Sequence, residues 1–295
     1  MPAEATGQFE RAAVIGIGLI GASFALAAKQ AGVVGRVVGV ARRHETLEAA
    51  KALGAADETT VDPAAAAANA DLVYLATPVG AIAELLGRLA PVLKPGCLVT
   101  DAGSVKAQIC QAAERLLPEG VWFVGGHPMA GSEQSGPKAA RADLFREHPY
   151  FLVATRLGGQ MAVRQMEAVV KAIGGKPMVL EADAHDRILA VTSHLPHAAA
   201  VAVMLAVEQL VPEAATRRDY SGAGLRDTTR VAAGSPEMWR DVLAANAGPV
   251  AEACRLTAAK LQTLAELLVA GDIGGVTALL TQAQAARQKL DEETR

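Results

Sequence analysis

Val14-Ile15-Gly16-Ile17-Gly18-Leu19-Ile20-Gly21 decides how the first half of this chain folds. The apolar run Ala12–Ile17 is predicted to be a buried parallel strand and Ala22–Gln30 a helix, with glycines spaced G-x-G-x-x-G between them. Gly16 permits the tight turn, Gly18 lets a pyrophosphate approach the backbone, and Gly21 lets helix and strand pack closely. The helix start offers unpaired N–H groups and the positive end of its dipole, which together hold an anion. Glycine turns also occur without a ligand, so context decides. Here a second strand, Arg36–Val40, follows the helix. Gly16, Gly18, Leu19, Ile20 and Gly21 are therefore expected to cradle a dinucleotide.

Outward from this turn, apolar strands alternate with amphipathic helices as far as Glu181. Leu72–Ala76, Cys97–Asp101, Val121–Gly125, Tyr150–Ala154 and Pro177–Leu180 read as further strands. Such alternation predicts a Rossmann-type α/β domain over residues 1–181, with a mostly parallel, doubly wound sheet. Beyond Glu181 helical spacing takes over in Ala182–Met204, Met238–Leu268 and Ile273–Leu290, which predicts an all-α domain over 182–295. Helices this long and apolar need a partner surface, so a homodimer is expected.

Composition narrows the classes. The chain has 295 residues, 51% of them apolar, which is core material for two domains. A net charge of −3 with scattered basic residues gives no reason to expect nucleic acid. Cys97, Cys110 and Cys254 have no metal-ligand spacing and fit reduced thiols in a cytoplasm. The first eleven residues do not read as a signal peptide, and no apolar run is expected to reach the length of a membrane span.

Ligands in such sheets bind beyond the carboxyl ends of the strands, so the residues there matter most. After the second strand comes Ala41-Arg42-Arg43, where NAD-binding chains usually place an acid. Without that carboxylate, and with two guanidiniums, the loop favours the 2′-phosphate of NADP over NAD. Thr77 and Pro78 follow the third predicted strand and would cover the cofactor's far side. Ser104 follows the fourth and suits either an N-cap or an active-site hydroxyl. His127, in Gly125-Gly126-His127-Pro128-Met129-Ala130-Gly131-Ser132-Glu133, offers an imidazole able to take a proton near pH 7.

Two constellations interrupt the helical half. His194 and His197, three apart, lack the acidic or cysteine partners of a metal site, so no metal is expected. Gly222-Ala223-Gly224-Leu225-Arg226-Asp227-Thr228-Thr229-Arg230 is either a salt-bridged helix surface or a pair of guanidiniums facing a cleft.

With these residues in view the chain resembles the prephenate/arogenate dehydrogenase (TyrA) family of tyrosine biosynthesis. The likeness lies in Gly-Gly-His-Pro-Met-Ala-Gly-Ser-Glu at 125–133, Gly-Ser-Val-Lys at 103–106, both helical constellations, and Ser235-Pro236-Glu237-Met238-Trp239. The resemblance implies His127 as the catalytic histidine, Ser104 as its neighbour and Arg230 as the anchor of a substrate carboxylate. It places Arg226, His197, Ser193, Ser132 and Glu133 around the substrate, and dimerisation in the helical domain. Two departures accompany it. Arg42-Arg43 matches NADP-using members where many relatives keep an acid, and the absence of an appended module implies a monofunctional chain. The reaction implied is oxidative decarboxylation of prephenate or arogenate with NADP or NAD. Its rivals are another two-domain dehydrogenase, of the 3-hydroxyacid or imine reductase type, and a dinucleotide-sensing protein without turnover.

Overall fold

A computed structural model describes residues 9–131, 134–213, 217 and 219–292. The apolar runs of the first half pair into one eight-stranded sheet. Its strands are β1 (Phe9–Ile15), β2 (Val34–Val40), β3 (Glu58–Thr60), β4 (Leu72–Leu75), β5 (Leu98–Asp101), β6 (Trp122–Pro128), β7 (Pro149–Ala154) and β8 (Lys176–Leu180). They lie in the order β3-β2-β1-β4-β5-β6-β7-β8, and β6–β7 is the antiparallel pair in a sheet otherwise parallel. Between the strands run α1 (Leu19–Gln30), α2 (His44–Ala52), α3 (Pro63–Ala67), α4 (Val79–Leu89), α5 (Ala107–Leu116) and α6 (Gly159–Ala172).

Strand β4 explains why helices cover both faces. All four of its residues are buried. Leu72 and Tyr74 join the core under α1, α2 and α6, while Val73 and Leu75 join the core under α3, α4 and α5. A strand without a polar face cannot meet water. Each large apolar side chain so buried contributes roughly 1.5–3 kcal/mol. Tyr74 stacks on Phe24 with ring centroids 3.8 Å apart, and its buried hydroxyl meets that of Tyr150 at 3.1 Å.

Most strands shift at one end by a residue or two from the sequence expectation, and three depart from it for a physical reason. Strand β1 stops at Ile15 because the chain turns at Gly16, where φ is +93°. Strand β6 continues through His127 and Pro128 because antiparallel pairing sets them opposite Phe151 and Tyr150. Strand β3 has no counterpart in the expectation, since three residues are too few to show alternation.

The remaining helices are α7 (Ala182–Leu189), a π-type turn (Ala190–His194), α8 (Leu195–Leu210), α9 (Ala223–Thr229), α10 (Pro236–Ala245), α11 (Ala247–Ala270) and α12 (Ile273–Glu292). The chain forms two compact units. One holds the residues up to Thr192 together with Ala233–Ala247; the other holds Ser193–Ala232 and the residues from Gly248 onward. By packing, α7 and α10 stay with the sheet, past the boundary expected after Glu181. Helix α7 lies on α5 and β7, and α10 lies on α4, where Val242 enters the core.

The expectation of no span-length apolar run is corrected. Ala182–Leu210 is one helical run of 29 residues, apolar and long enough to cross a membrane by length and composition alone. Pro196 and the π-type turn hide its continuity in the sequence. Within it His185, Asp186, His194 and His197 are buried, while 28% of its most apolar stretch is buried.

Candidate active site

The parallel order sets one carboxyl strand end beside the next. From β2 to β6 the ends carry, in spatial order, Arg42 and Arg43, the glycine turn, Thr77, Ser104 and His127. Four strand spacings of about 4.8 Å make a track of roughly 19 Å. An extended dinucleotide fits such a length.

The glycine turn has the shape its spacing implies. A Cβ on Gly16 would lie 2.4 Å from the carbonyl oxygen of Ala76, and one on Gly21 would lie 2.3 Å from that of Gly16. Gly18, by contrast, faces open space, with nothing within 4 Å of where a Cβ would stand. Helix α1 has no side-chain cap and no acid in its first turn, so its N–H groups are left for an anion. Leu19 and Ile20 of this first turn are half-buried. The buried Thr77 hydroxyl has no hydrogen-bond partner among the described residues, and Pro78 caps α4 beside it. These are residues that fit a dinucleotide. Arg42 and Arg43 are exposed, and neither side chain pairs with a carboxylate among the described residues.

His127 is 8% exposed and held from behind. Its Nδ1 lies 2.9 Å from Nε2 of His185, whose own Nδ1 lies 2.8 Å from Oδ1 of Asp186. Asp186 further accepts the backbone N–H of Lys106 at 2.7 Å and of Ala107 at 2.9 Å. Burial alone would raise its carboxyl, but the His185 hydrogen bond and the Ala107 and Lys106 N–H groups outweigh burial and hold it below the ordinary Asp value. Neither His185 nor Asp186 stood out in the sequence.

The start of α5 depends on that contact. Ser104 does not cap the helix, which begins at Ala107 and has no side-chain cap of its own. Asp186 from α7 takes the orphan N–H groups instead. Ser104 is thereby left half-buried after β5, with its hydroxyl unbonded among the described residues. Next to it Lys106, fully buried, pairs with the equally buried Asp101 and donates to the carbonyl of Gly126 at 2.7 Å. Asp101 also accepts the N–H groups of Gly103 and Gly126. These bonds tie the ends of β5 and β6 together immediately before His127.

Within the second unit, α8 packs on α9. Buried His197 on α8 donates to the carbonyl of Val231, the residue after Arg230. Burial outweighs that bond and keeps the His197 imidazole below its ordinary value, hence neutral at pH 7. Ser193 is half-buried in the π-type turn. Arg226 and Arg230 are exposed, and among the described residues neither pairs with a carboxylate, so the salt-bridged surface does not form. Ser132 and Glu133 lie outside the described residues.

Residues 24–179 match the family model of the prephenate dehydrogenase nucleotide-binding domain, and residues 181–282 match that of the prephenate dehydrogenase dimerization domain. The chain belongs to the prephenate dehydrogenase family. It is 36% identical over 241 residues to the cyclohexadienyl dehydrogenase of Zymomonas mobilis, covering 81% of this chain and 82% of that protein. It is 35% identical over 235 residues to the prephenate dehydrogenase of Bacillus subtilis, covering 78% of this chain and 62% of that longer protein. A crystal structure of prephenate dehydrogenase from Aquifex aeolicus, in complex with hydroxyphenyl propionate and NAD+, is similar with a TM-score of 0.87 at 29% identity. That likeness covers 95% of this chain and 98% of the other. As a member of this family the chain is an oxidoreductase. It performs the oxidative decarboxylation of prephenate or arogenate in tyrosine biosynthesis, with a nicotinamide dinucleotide as acceptor.

Proposed function

We propose that His127 is the proton acceptor of this reaction and that the cofactor preferred is NADP. One observation carries the first assignment: a buried imidazole stands at the carboxyl end of β6, anchored through Nδ1, on the strand edge that bears the glycine turn. When bound, the nicotinamide accepts the hydride from the ring carbon that carries the hydroxyl. The protein must then remove the hydroxyl proton and orient the ring carboxylate whose loss makes the ring aromatic. A neutral imidazole at His127 meets the first need. Ser104, on the neighbouring strand end, would hold the hydroxyl in line.

Arg230 supplies a cation for the ring carboxylate. Arg226 adds to its field, and His197 and Ser193 complete the substrate's surroundings with Ser132 and Glu133. The neutral His197 is suited to hydrogen bonding rather than to charge pairing. Among the described residues neither arginine has a carboxylate partner, which supports a role toward a ligand. The same argument supports Arg42 and Arg43 as the grip on a 2′-phosphate.

A homodimer is supported by the dimerization-domain match and by apolar side chains that the second unit leaves exposed, among them Leu256, Leu261 and Leu268 on α11 and Leu280 on α12. The three free thiols support placement in a reducing cytoplasm.

The test is dinucleotide reduction, followed by absorbance, with prephenate and arogenate in turn. His127→Asn should lose about 10²–10⁴ in kcat with cofactor affinity nearly unchanged. Retention of most of kcat with the same acid limb would assign the base to another group.

A further inference from the structure

The ring of His127 is one end of a buried chain of three side chains. His185 and Asp186, consecutive on α7, are 0% and 4% exposed. Phe151 on β7 meets the His185 ring edge-on, centroids 5.4 Å apart at 83°, and fixes its plane. The carboxylate of Asp186 is fixed by the two N–H groups at the start of α5, and its backbone carbonyl accepts Nδ2 of Asn246 at 2.7 Å. Every member of the chain is thus held by a different element of the first unit.

The directions of the hydrogen bonds follow from the end of the chain. A carboxylate only accepts, so His185 must donate from Nδ1. A neutral imidazole that donates from Nδ1 accepts at Nε2. His127 must then donate from its own Nδ1, which puts its lone pair on Nε2, the nitrogen turned away from His185. We propose that His185 and Asp186 are positioning residues that hold His127 in this tautomer and share the charge it gains. The proposal rests on His127 being the proton acceptor. When the hydroxyl proton reaches Nε2, the imidazolium keeps donating from Nδ1 to His185, with Asp186 one ring behind it. The new charge therefore arises against a fixed anion rather than alone in a buried site.

The buried titratable groups on the elements around His127 are His185 and Asp186 on α7, Asp101 at the end of β5, Lys106 and Cys110 at the start of α5, and Tyr150 on β7. Of these, His185 contacts the ring directly. Asp101 and Lys106 neutralise each other, so removal of His185 should govern the pH profile.

His185→Phe keeps a ring against Phe151 and removes the acceptor. It should lower kcat about 10²-fold, change KM by less than about threefold, and move the acid limb of kcat/KM to lower pH by about one unit. His185→Gln sets an amide oxygen near the former Nε2 and should recover at least about tenfold of that loss. In the unaltered protein, ¹⁵N NMR of labelled histidine should find His127 protonated at Nδ1 when neutral, and protonation at Nε2 instead would overturn the proposal. If His127→Asn is inactive while His185→Phe keeps kcat and the acid limb, the relay is refuted and the base assignment stands. If His127→Asn keeps its kcat, the base assignment fails and the relay with it. Should His185→Phe not fold, His185→Gln and the NMR tautomer decide.

Discussion

Replacing Lys106 with methionine removes a buried cation and almost no volume. Both partners of the Lys106–Asp101 pair are 0% exposed, so water offers Asp101 no compensation once the ammonium is gone. Two donors remain to the carboxylate, the N–H groups of Gly103 at 2.8 Å and Gly126 at 3.1 Å. The carbonyl of Gly126 loses its 2.7 Å partner as well. An orphaned buried acceptor costs about 1–3 kcal/mol, and breaking a buried ion pair by removing one side costs about 3–5 kcal/mol in total. The surviving N–H bonds argue for the lower half of that range. With a urea slope of about 2–3 kcal/mol per molar, the unfolding midpoint should fall by roughly 1–2 M. Trp122 on β6 and Trp239 on α10 are the two tryptophans of the chain, and both lie in the first unit, so fluorescence reports the unit that contains the pair. Asp101→Asn combined with Lys106→Met should cost clearly less than the sum of the two single changes. A midpoint for Lys106→Met within about 0.3 M of the unaltered protein, or additive costs, would show that the pair carries no such energy.

Other expectations follow from the geometry. Gly18→Ala should unfold at the unaltered midpoint yet bind dinucleotide at least about tenfold more weakly, because its new methyl enters open space where a pyrophosphate would lie. Gly21→Ala should destabilise the fold, since its Cβ would stand 2.3 Å from a backbone oxygen; equal midpoints for the two variants would refute the contrast. Changing Arg42 and Arg43 to alanine together should weaken NADP at least about tenfold and leave NAD nearly unchanged, measured by titration of each cofactor. Arg230→Ala should raise KM at least about tenfold, with lysine a partial replacement, because a lost charge-assisted bond costs about 1.5–3 kcal/mol. The Asp186 carboxyl is depressed in the folded state, so its contribution is complete above the ordinary Asp value of 3.8 and is lost as pH falls below it. The urea midpoint should therefore drop below that pH, and the gap to Asp186→Asn should narrow there; a gap independent of pH would contradict the linkage.

What could be read in the sequence was local. The glycine turn, the strand ends and the helical second half each announce themselves within a few residues, because backbone geometry and apolar spacing act at short range. His127 was visible for the same reason, set among glycines and a proline after an apolar strand. His185 was not. Its contact with His127 spans 58 positions, and that of Asp186 with Lys106 spans 80. A histidine followed by an aspartate in an amphipathic helix looks like an ordinary polar face until the fold turns it inward. The cap of α5 makes the same point from the other side. Ser104 was the nearest candidate by the local rule, yet a carboxylate from a distant helix took the N–H groups. Length limited the rest: β3, with three residues, is too short for a period to show.

Helix α10 bears on how this protein is made. The chain lays down the sheet, leaves it to build Ser193–Ala232, and only then returns with Ala233–Ala247 to cover α4 and to bond the carbonyl of Asp186 through Asn246. A ribosome adds about 5–20 residues per second. For several seconds of synthesis, therefore, α4 waits without the helix that packs on it, and the histidine relay is unlocked at the Asp186 carbonyl. A gene cut after Thr192 would leave that wait permanent. Chimaeras that exchange the helical half between relatives must carry α10 with the sheet it closes.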